Sequence, residues 1–382
     1  MKVVIAPDSF KGSCSTFEVA QAIENGIRRV FKDAEIIKIP IADGGEGTVD
    51  AFVLGGKGRY EEAEVGNPLR KNVKAKYGIL DDHIAVIEMA AASGLTLLKE
   101  EERNPLITTT YGTGQLIIAA LDKGCRKIYV GIGGSATNDG GAGMAQALGV
   151  SFKDKEGKEI GDGGGSLSDL ADLDLSNLDA RLKETEIVVI SDVTNPLCGE
   201  DGASQVYGPQ KGGTPEMIKT LDANLMYYAS VISEKLGKNV REIPGSGAAG
   251  GLGAGLAVFC NAQIRSGIET VLDLTEIEAQ LKNADLVITG EGRIDGQTVY
   301  GKVPAGVAKR ALKYHVPVVA IVGSVGPGAS AVYSRGIDAI MDLINQPMTL
   351  NEAMENAFQL IEDAAESTMR MIKVGNRINQ NS

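Results

Sequence analysis

Tryptophan is absent from the 382 residues, and aromatic residues together make up 4%. Stacking of nucleobases on aromatic side chains is therefore not expected as a main mode of action. Basic residues are also outnumbered. Lys and Arg total 38 against 50 Asp and Glu, a net charge of −12. That balance argues against nucleic acid or an anionic membrane as a partner. The two histidines, His83 and His315, and the four scattered cysteines, Cys14, Cys125, Cys198 and Cys260, form no C-x-x-C and no zinc-like spacing. Isolated thiols suit a reducing, cytoplasmic setting. The start, MKVVIAPDSF, has no charged region leading into a long apolar one, so no secretory leader is read. The longest apolar stretch, Gly251 to Cys260, is half of what spans a bilayer.

What remains is ample for a globular fold. The apolar fraction is 43%, and at about 150 residues per domain the length suggests two domains, or one with a large insertion. Glycine is the outlier at 49 residues, nearly twice the roughly 7% average.

The N-terminal segment reads as β-loop-α repeated twice. Val3–Ala6 is a buried strand. Ser15 and Glu18 form a capping box before a helical face of Val19, Ile23, Ile27 and Val30. Ile36 to Ala42 is the second strand, and Thr48 to Leu54 the second helix. The C-terminal segment repeats this grammar. Strands are expected at Leu286–Thr289, Val318–Val322 and Ile337–Leu343, and a helix at Val303–Leu312. A long final helix is striped by Leu350, Met354, Phe358, Ile361, Ala365 and Ile372, and fraying is expected from Gly375 onward. The centre differs. Tyr60 to Met89 alternates and carries charge, as antiparallel strands do. Strands follow near Lys127–Gly131 and Ile187–Ser191. Thr214-Pro215 opens a helix that Gly237 stops.

The expected fold class is α/β. Both termini build a flavodoxin-like or Rossmann-like domain, residues 1–64 and 285–382. A mixed α/β domain, residues 65–284, is inserted.

Five Gly-rich polar loops lie next to these elements: Pro7–Ser13, Ala42–Thr48, Gly131–Gly143, Pro244–Gly255 and Gly290–Lys302. Such loops let backbone N–H groups approach a phosphate, and in open α/β sheets they line the crevice at the strand carboxyl ends. Glycine can equally serve tight turns alone. Lys11-Gly12-Ser13 is not a Walker A, because Ala6 stands where that motif needs Gly. Gly245-Ser246-Gly247-Ala248-Ala249-Gly250 fits G-x-G-x-x-G but follows no convincing strand. Helix packing or phosphate contact explains it better than dinucleotide binding.

The acids within these loops are Asp43, Glu46, Asp139, Asp192 and Asp295. An Asp beyond a strand can bind Mg²⁺ or accept a proton from a hydroxyl, or it can close an Asx-turn. Asp192, with Asn195 and Pro196, has the most site-like context. Lys11, Lys211, Arg293 and Lys302 are cations in similar loops, able to meet a phosphate or carboxylate. His83 and His315 lie outside these loops, and surface or structural roles are expected for them. Cys14 and Cys198 read as small fillers.

Taken together and in order, DSFKGS, ADGGEGT, GGSATNDGG, DVTNPL, YGPQKGG, PGSGAAGG and GEGRID with the following Q-T and GK resemble the bacterial two-domain glycerate kinase family, the glycerate 2-kinase type, which is unrelated to P-loop kinases. Cys14, Ser246 and Gly213 depart from the usual Leu, Ala and Ala, and none of these changes removes a charge. The resemblance implies phosphorylation of D-glycerate by ATP with Mg²⁺, at the 2-hydroxyl, in an interdomain cleft. Site roles follow as expectations. Asp192 is a base or metal ligand, and Asp295 the rival base. Ser9, Lys11, Asn195 and Arg293 serve the substrate or the transferring phosphate. Asp43 and Glu46 are metal ligands. Gly133, Gly134, Ser135, Lys211, Gly245, Gly247, Gly250 and Gly251 serve the nucleotide. The 3-hydroxyl or a related hydroxy acid is an alternative. Further alternatives are a nicotinamide-dependent oxidoreductase and a non-catalytic sensor of a small acid. The first loop lacks the fingerprint an oxidoreductase needs. The assembly state is left open, a homodimer among those allowed.

Overall fold

The computed structural model describes residues 1–39, 41, 47–53, 58–81 and 83–380. In chain order its strands are β1 (Lys2–Ile5), β2 (Glu35–Lys38), β3 (Gly58–Gly66), β4 (Asn72–Leu80), β5 (Ile84–Glu88), β6 (Lys127–Gly131), β7 (Ser151–Lys153), β8 (Asp172–Asp174), β9 (Glu186–Ile190), β10 (Gln263–Arg265), β11 (Leu286–Glu291), β12 (Val318–Val322) and β13 (Ala339–Asp342). The chain divides into two compact units. A terminal unit holds residues 1–43 and 268–382, and a central unit holds 44–267.

The terminal unit is a five-stranded, wholly parallel sheet in the order β13-β12-β11-β1-β2. Numbered within the unit, this is the flavodoxin-like order 2-1-3-4-5. Its inner strands β11 and β12 are buried along their whole length, as parallel strands covered on both faces must be. Helix Thr16–Val30 starts on the Ser15–Glu18 capping box and packs on the final helix at Gly26. A Cβ there would lie 2.3 Å from the Glu362 carbonyl oxygen, so only glycine allows the approach.

The central unit has a six-stranded mixed sheet, β10-β9-β6-β5-β4-β3, and a small β7-β8 ribbon. β3, β4 and β5 form an antiparallel meander, as the alternating segment predicts. Across the outer pair, Glu62 faces Lys76 and Glu64 faces Lys74, a cross-strand charge pairing that favours this register. Helix Pro215–Leu236 begins on Thr214, whose side chain accepts from Met217 N, and ends at left-handed Gly237.

The structure departs from the sequence reading in several places. Every residue of β3 pairs with β4, and Val49 N donates to Glu88 Oε1 at 2.8 Å, so the described residues from 47 to 64 fall in the central unit rather than the terminal domain. Ile268 sits against Gly306, and Glu269 and Glu278 pair with Arg310, so residues 268–284 join the terminal unit. β2 is shorter than Ile36–Ala42, although Ile39 N still donates to Ile5 O at 2.8 Å. The final helix is two, Leu350–Glu355 and Ala357–Gln380, broken at Asn356. Leu350 and Phe358 are exposed rather than inward-facing. The second helix continues past Gly375 to Gln380, where a frayed tail was expected. One glycine in a helix costs only about 1 kcal/mol, which neighbouring turns absorb.

No helix among the described residues is long and apolar enough to cross a membrane.

Candidate active site

In the terminal sheet, β1 and β11 are neighbours whose connections leave in opposite directions, β1 to β2 and β11 to β12. Ligands of open α/β sheets bind beyond the strand carboxyl ends at such a point. The loops there are Pro7–Ser13 after β1 and Gly292–Lys302 after β11. They touch: a Cβ on Gly292 would lie 3.7 Å from Phe10 Cα and 3.9 Å from Lys11 N. The first loop is pinned by Phe10, whose N–H donates to Cys14 O and whose carbonyl accepts from Ser13 and Cys14. That leaves Lys11 exposed at its tip. Ser9 is half-buried, its N–H donating to Asp8 Oδ1 at 2.7 Å.

The second loop gathers four charges. Arg293, 62% exposed, places Nε 3.6 Å from Asp295 Oδ2. Lys302 Nζ lies 3.7 Å from Asp295 Oδ1 and 3.4 Å from Glu291 Oε2. Glu291 ends β11 and is buried. Its Oε1 accepts from the Thr298 hydroxyl at 2.6 Å, and the Thr298 oxygen accepts from Asp295 N at 3.1 Å. Burial pushes the Glu291 carboxyl above its ordinary value, against the pull of Thr298 and Lys302. Glu291 and Thr298 were not among the expected site residues. The available signal was an uncharged, mostly apolar strand, LVITG, ending in a carboxylate.

In the central unit, three polar loops pack on one another. After β6 comes 132–143, after β9 comes 191–202, and the third is 244–255. Gly250 shows how close they are. A Cβ there would fall 2.0 Å from Thr137 O, at a φ of +69°. Gly247 would meet Pro196 O at 2.1 Å, and Gly251 would meet Gly140 Cα at 2.7 Å. Gly245, Gly247, Gly250 and Gly251 are all buried, so close backbone packing accounts for them where nucleotide contact was expected. No strand precedes them, and Ala249, Gly250 and Gly251 are left-handed, interrupting the helical stretch. A dinucleotide fingerprint needs a strand–turn–helix instead.

Lys211 is also displaced from its expected role. It is 1% exposed, and its Nζ donates to Thr137 O at 2.7 Å. Burial pushes the ammonium down to about 7, with Asp139 pulling the other way. Asp139 is equally buried and accepts from Thr110 N and Oγ1, Gly141 N and Gly143 N. It is a loop organiser rather than a solvent-facing ligand. Burial pushes its carboxyl up while these donors pull it down.

Three expected nucleotide contacts lie at the edge of this cluster. Gly133 and Gly134 are exposed, and Ser135 is nearly buried beside them. Asp192 is exposed one residue beyond Ser191, and its Oδ1 accepts from Gly267 N at 2.7 Å and Ser266 Oγ at 2.9 Å. Asn195 is tied into its own loop: Nδ2 donates to Asp201 O, and Oδ1 accepts from the Tyr207 hydroxyl. Asp43 and Glu46 lie outside the described residues. Among those described, no three His, Cys, Asp or Glu side chains form a metal cage. The four cysteines are free, and both histidines are exposed at turns.

Comparison with known proteins joins these two sets of loops to one family. The family model described as the Glycerate kinase family matches residues 3–373. Glycerate kinase from Halalkalibacterium halodurans is 55% identical over 366 residues, 96% of each chain. Glycerate 2-kinase from Escherichia coli K12 is 51% identical over 378 residues, 99% of each. A crystal structure from Salmonella typhimurium LT2, assigned as a glycerate kinase 2, is similar with a TM-score of 0.88 and 51% identity, over 98% of this chain and 99% of that one. The family match and the relatives extend over both units, and the chain belongs to the glycerate kinase family.

Proposed function

We propose that this chain transfers the terminal phosphoryl group of ATP to the 2-hydroxyl of D-glycerate, giving 2-phospho-D-glycerate and ADP. The observation that carries the reading is the flavodoxin-order switch point, where the β1 and β11 loops bring Lys11, Arg293 and Lys302 to the carboxyl ends of the strands. Family membership and the E. coli relative's designation as a glycerate 2-kinase support it.

Phosphoryl transfer asks a protein chiefly to position reactants and balance charge. Arg293 presents a planar fork suited to the glycerate carboxylate, and Lys11 on the adjoining β1 loop is a point charge for carboxylate or transferring phosphate. Asp295 lies between the Arg293 and Lys302 charges, 3.6 and 3.7 Å from them. In the central unit, Gly133 and Gly134 offer exposed backbone to nucleotide phosphates, and Ser135 adds a hydroxyl. Asp192 sits at a strand end, fixed by Ser266 and Gly267 through one oxygen. It is assigned to accept the hydroxyl proton or to hold Mg²⁺. A nucleotide-bound Mg²⁺ takes only one or two protein carboxylates, so one exposed Asp fits that donor set. When bound, Mg²⁺ would neutralise phosphate charge.

A ³¹P NMR spectrum of the protein with D-glycerate, ATP and Mg²⁺ tests this. The expected result is a growing phosphomonoester signal, coupled to one proton, as ATP converts to ADP. Coupling to two protons would move the reaction to the 3-hydroxyl. An unchanged ATP spectrum with folded protein would overturn the kinase reading.

A further inference from the structure

We propose that Glu291 is a positioning residue that sets the Lys302 ammonium as an anion contact at the β1–β11 switch point. The inference rests on the proposed kinase reading and adds Glu291 to it.

A carboxylate at the buried end of β11 loses hydration, and such a charge persists only when paired. Thr298 needs no charge there, since a glutamine oxygen would accept its hydroxyl equally well. The charge is answered by Lys302. Lys302 lies at the start of helix Val303–Leu312, and its own backbone places it at the mouth of the loop. Glu291 and Asp295 bracket its Nζ at 3.4 and 3.7 Å. Both separations exceed the roughly 2.7–2.9 Å of a charge-assisted hydrogen bond. Glu291 holds the ammonium at the long edge of hydrogen-bond range and Asp295 lies just beyond it, so at least one of its three N–H donors stays available to a third acceptor.

The remaining contacts close a ring. Asp295 N donates to Thr298 Oγ1, Thr298 donates to Glu291, Glu291 faces Lys302, and Lys302 faces Asp295. Three of the four members come from the loop 292–302, and the fourth ends the strand that leads into it. Lys302 is 40% exposed while Glu291 is 7% exposed, so the ring has a buried anionic floor and an accessible cationic lip. The backbone of Lys11 lies by Gly292, the residue that follows Glu291. A lip of this kind suits an oxyanion, either the glycerate carboxylate or the phosphoryl group in transfer.

A double-mutant cycle of Glu291→Gln and Lys302→Met, read by steady-state kinetics of glycerate phosphorylation, tests the coupling. Glu291→Gln keeps the Thr298 hydrogen bond and removes the charge. The expected result is a loss of about tenfold or more in kcat/KM, with little further loss when Lys302 is already Met. A loss confined to KM for glycerate assigns the carboxylate, and a loss in kcat at unchanged KM assigns the phosphoryl group. Additive losses, or wild-type kinetics for Glu291→Gln, would overturn the proposal. If Glu291→Gln does not fold by circular dichroism, Glu291→Asp replaces it. That variant keeps the charge but draws Lys302 inward, and the same non-additivity is required. Wild-type protein without glycerate-dependent ADP formation would instead sink the kinase reading.

Discussion

Lys211 donates its Nζ to the carbonyl oxygen of Thr137 at 2.7 Å across 74 residues of sequence, in an interior where the lysine is 1% exposed. Burial brings its ammonium to about 7, from an ordinary 10.5. The unfolded chain therefore binds more protons than the folded one between those two values, and stability from this group rises with pH across that window. Below about 7 both states carry the proton, and the full cost of the buried charge is present. Urea unfolding of wild type and Lys211→Met at pH 5.5 to 9 checks this. The wild type should gain on the variant by about 1.4 kcal/mol per pH unit above 7, with a constant difference between pH 5.5 and 6.5. Parallel stability curves would mean that Lys211 stays charged when folded.

Gly250 tests the loop packing in the same unit. Gly250→Ala meets backbone atoms at 2.0 and 2.6 Å from a left-handed residue, and neither can move without shifting the loop after β6. The expected cost is about 3 kcal/mol or more. Gly237→Ala is the control. It too is left-handed, but nothing lies within 4 Å of its Cβ, so only the conformational cost of about 1–2 kcal/mol applies. Equal losses in the two variants, measured by chemical denaturation, would refute the packing account of Gly250.

Local signals in the sequence were legible where local physics decides. The Ser15–Glu18 box, the Thr214 cap, left-handed Gly237 and the charged hairpin β3–β4 all formed as their residues dictate. The terminal sheet could be read because its strands are short, apolar and separated by helical faces. Lys211 and Asp139 could not be placed in this way. A polar residue in a Gly-rich loop looks the same whether it faces solvent or another Gly-rich loop, and only the long-range contact with Thr137 or Thr110 distinguishes them. Glu291 was missed for a related reason. Its partners Thr298 and Lys302 reach it only once the loop folds back over the end of β11. The unit limits depended on strand pairing and on the Arg310 ion-pair cluster, neither of which composition reveals.

Arg293 should prove selective for a planar anion. Its guanidinium lies against Gly326, where a Cβ would stand 3.0 Å from Nε and 3.1 Å from a terminal nitrogen. Arg293→Lys keeps the charge and loses the fork. It should raise KM for D-glycerate by about tenfold, with KM for ATP little changed. Gly326→Ala should act in the same direction, because the added methyl displaces the guanidinium. If both variants instead raise KM for ATP alone, Arg293 belongs to the nucleotide.

Asp192 and Asp295 can be separated by what each touches. Asp192 receives Ser266 and Gly267 at one oxygen, and Asp295 faces Arg293 and Lys302. Asp192→Asn preserves the shape but neither accepts a proton nor binds Mg²⁺ strongly. Loss of a general base lowers turnover by about 100-fold to 10,000-fold, and kcat should fall into that range with glycerate KM nearly unchanged. Asp295→Asn releases Arg293 and leaves Lys302 to Glu291 alone, and both cations still bind anions, so its main effect should be a change in glycerate KM. Titrating Mg²⁺ against each variant adds a second readout. If Asp192 holds the metal, half-saturation shifts to higher Mg²⁺ and part of kcat returns at excess. If it serves only as base, kcat stays low at every Mg²⁺ concentration. A near-normal turnover of folded Asp192→Asn would remove Asp192 from both roles.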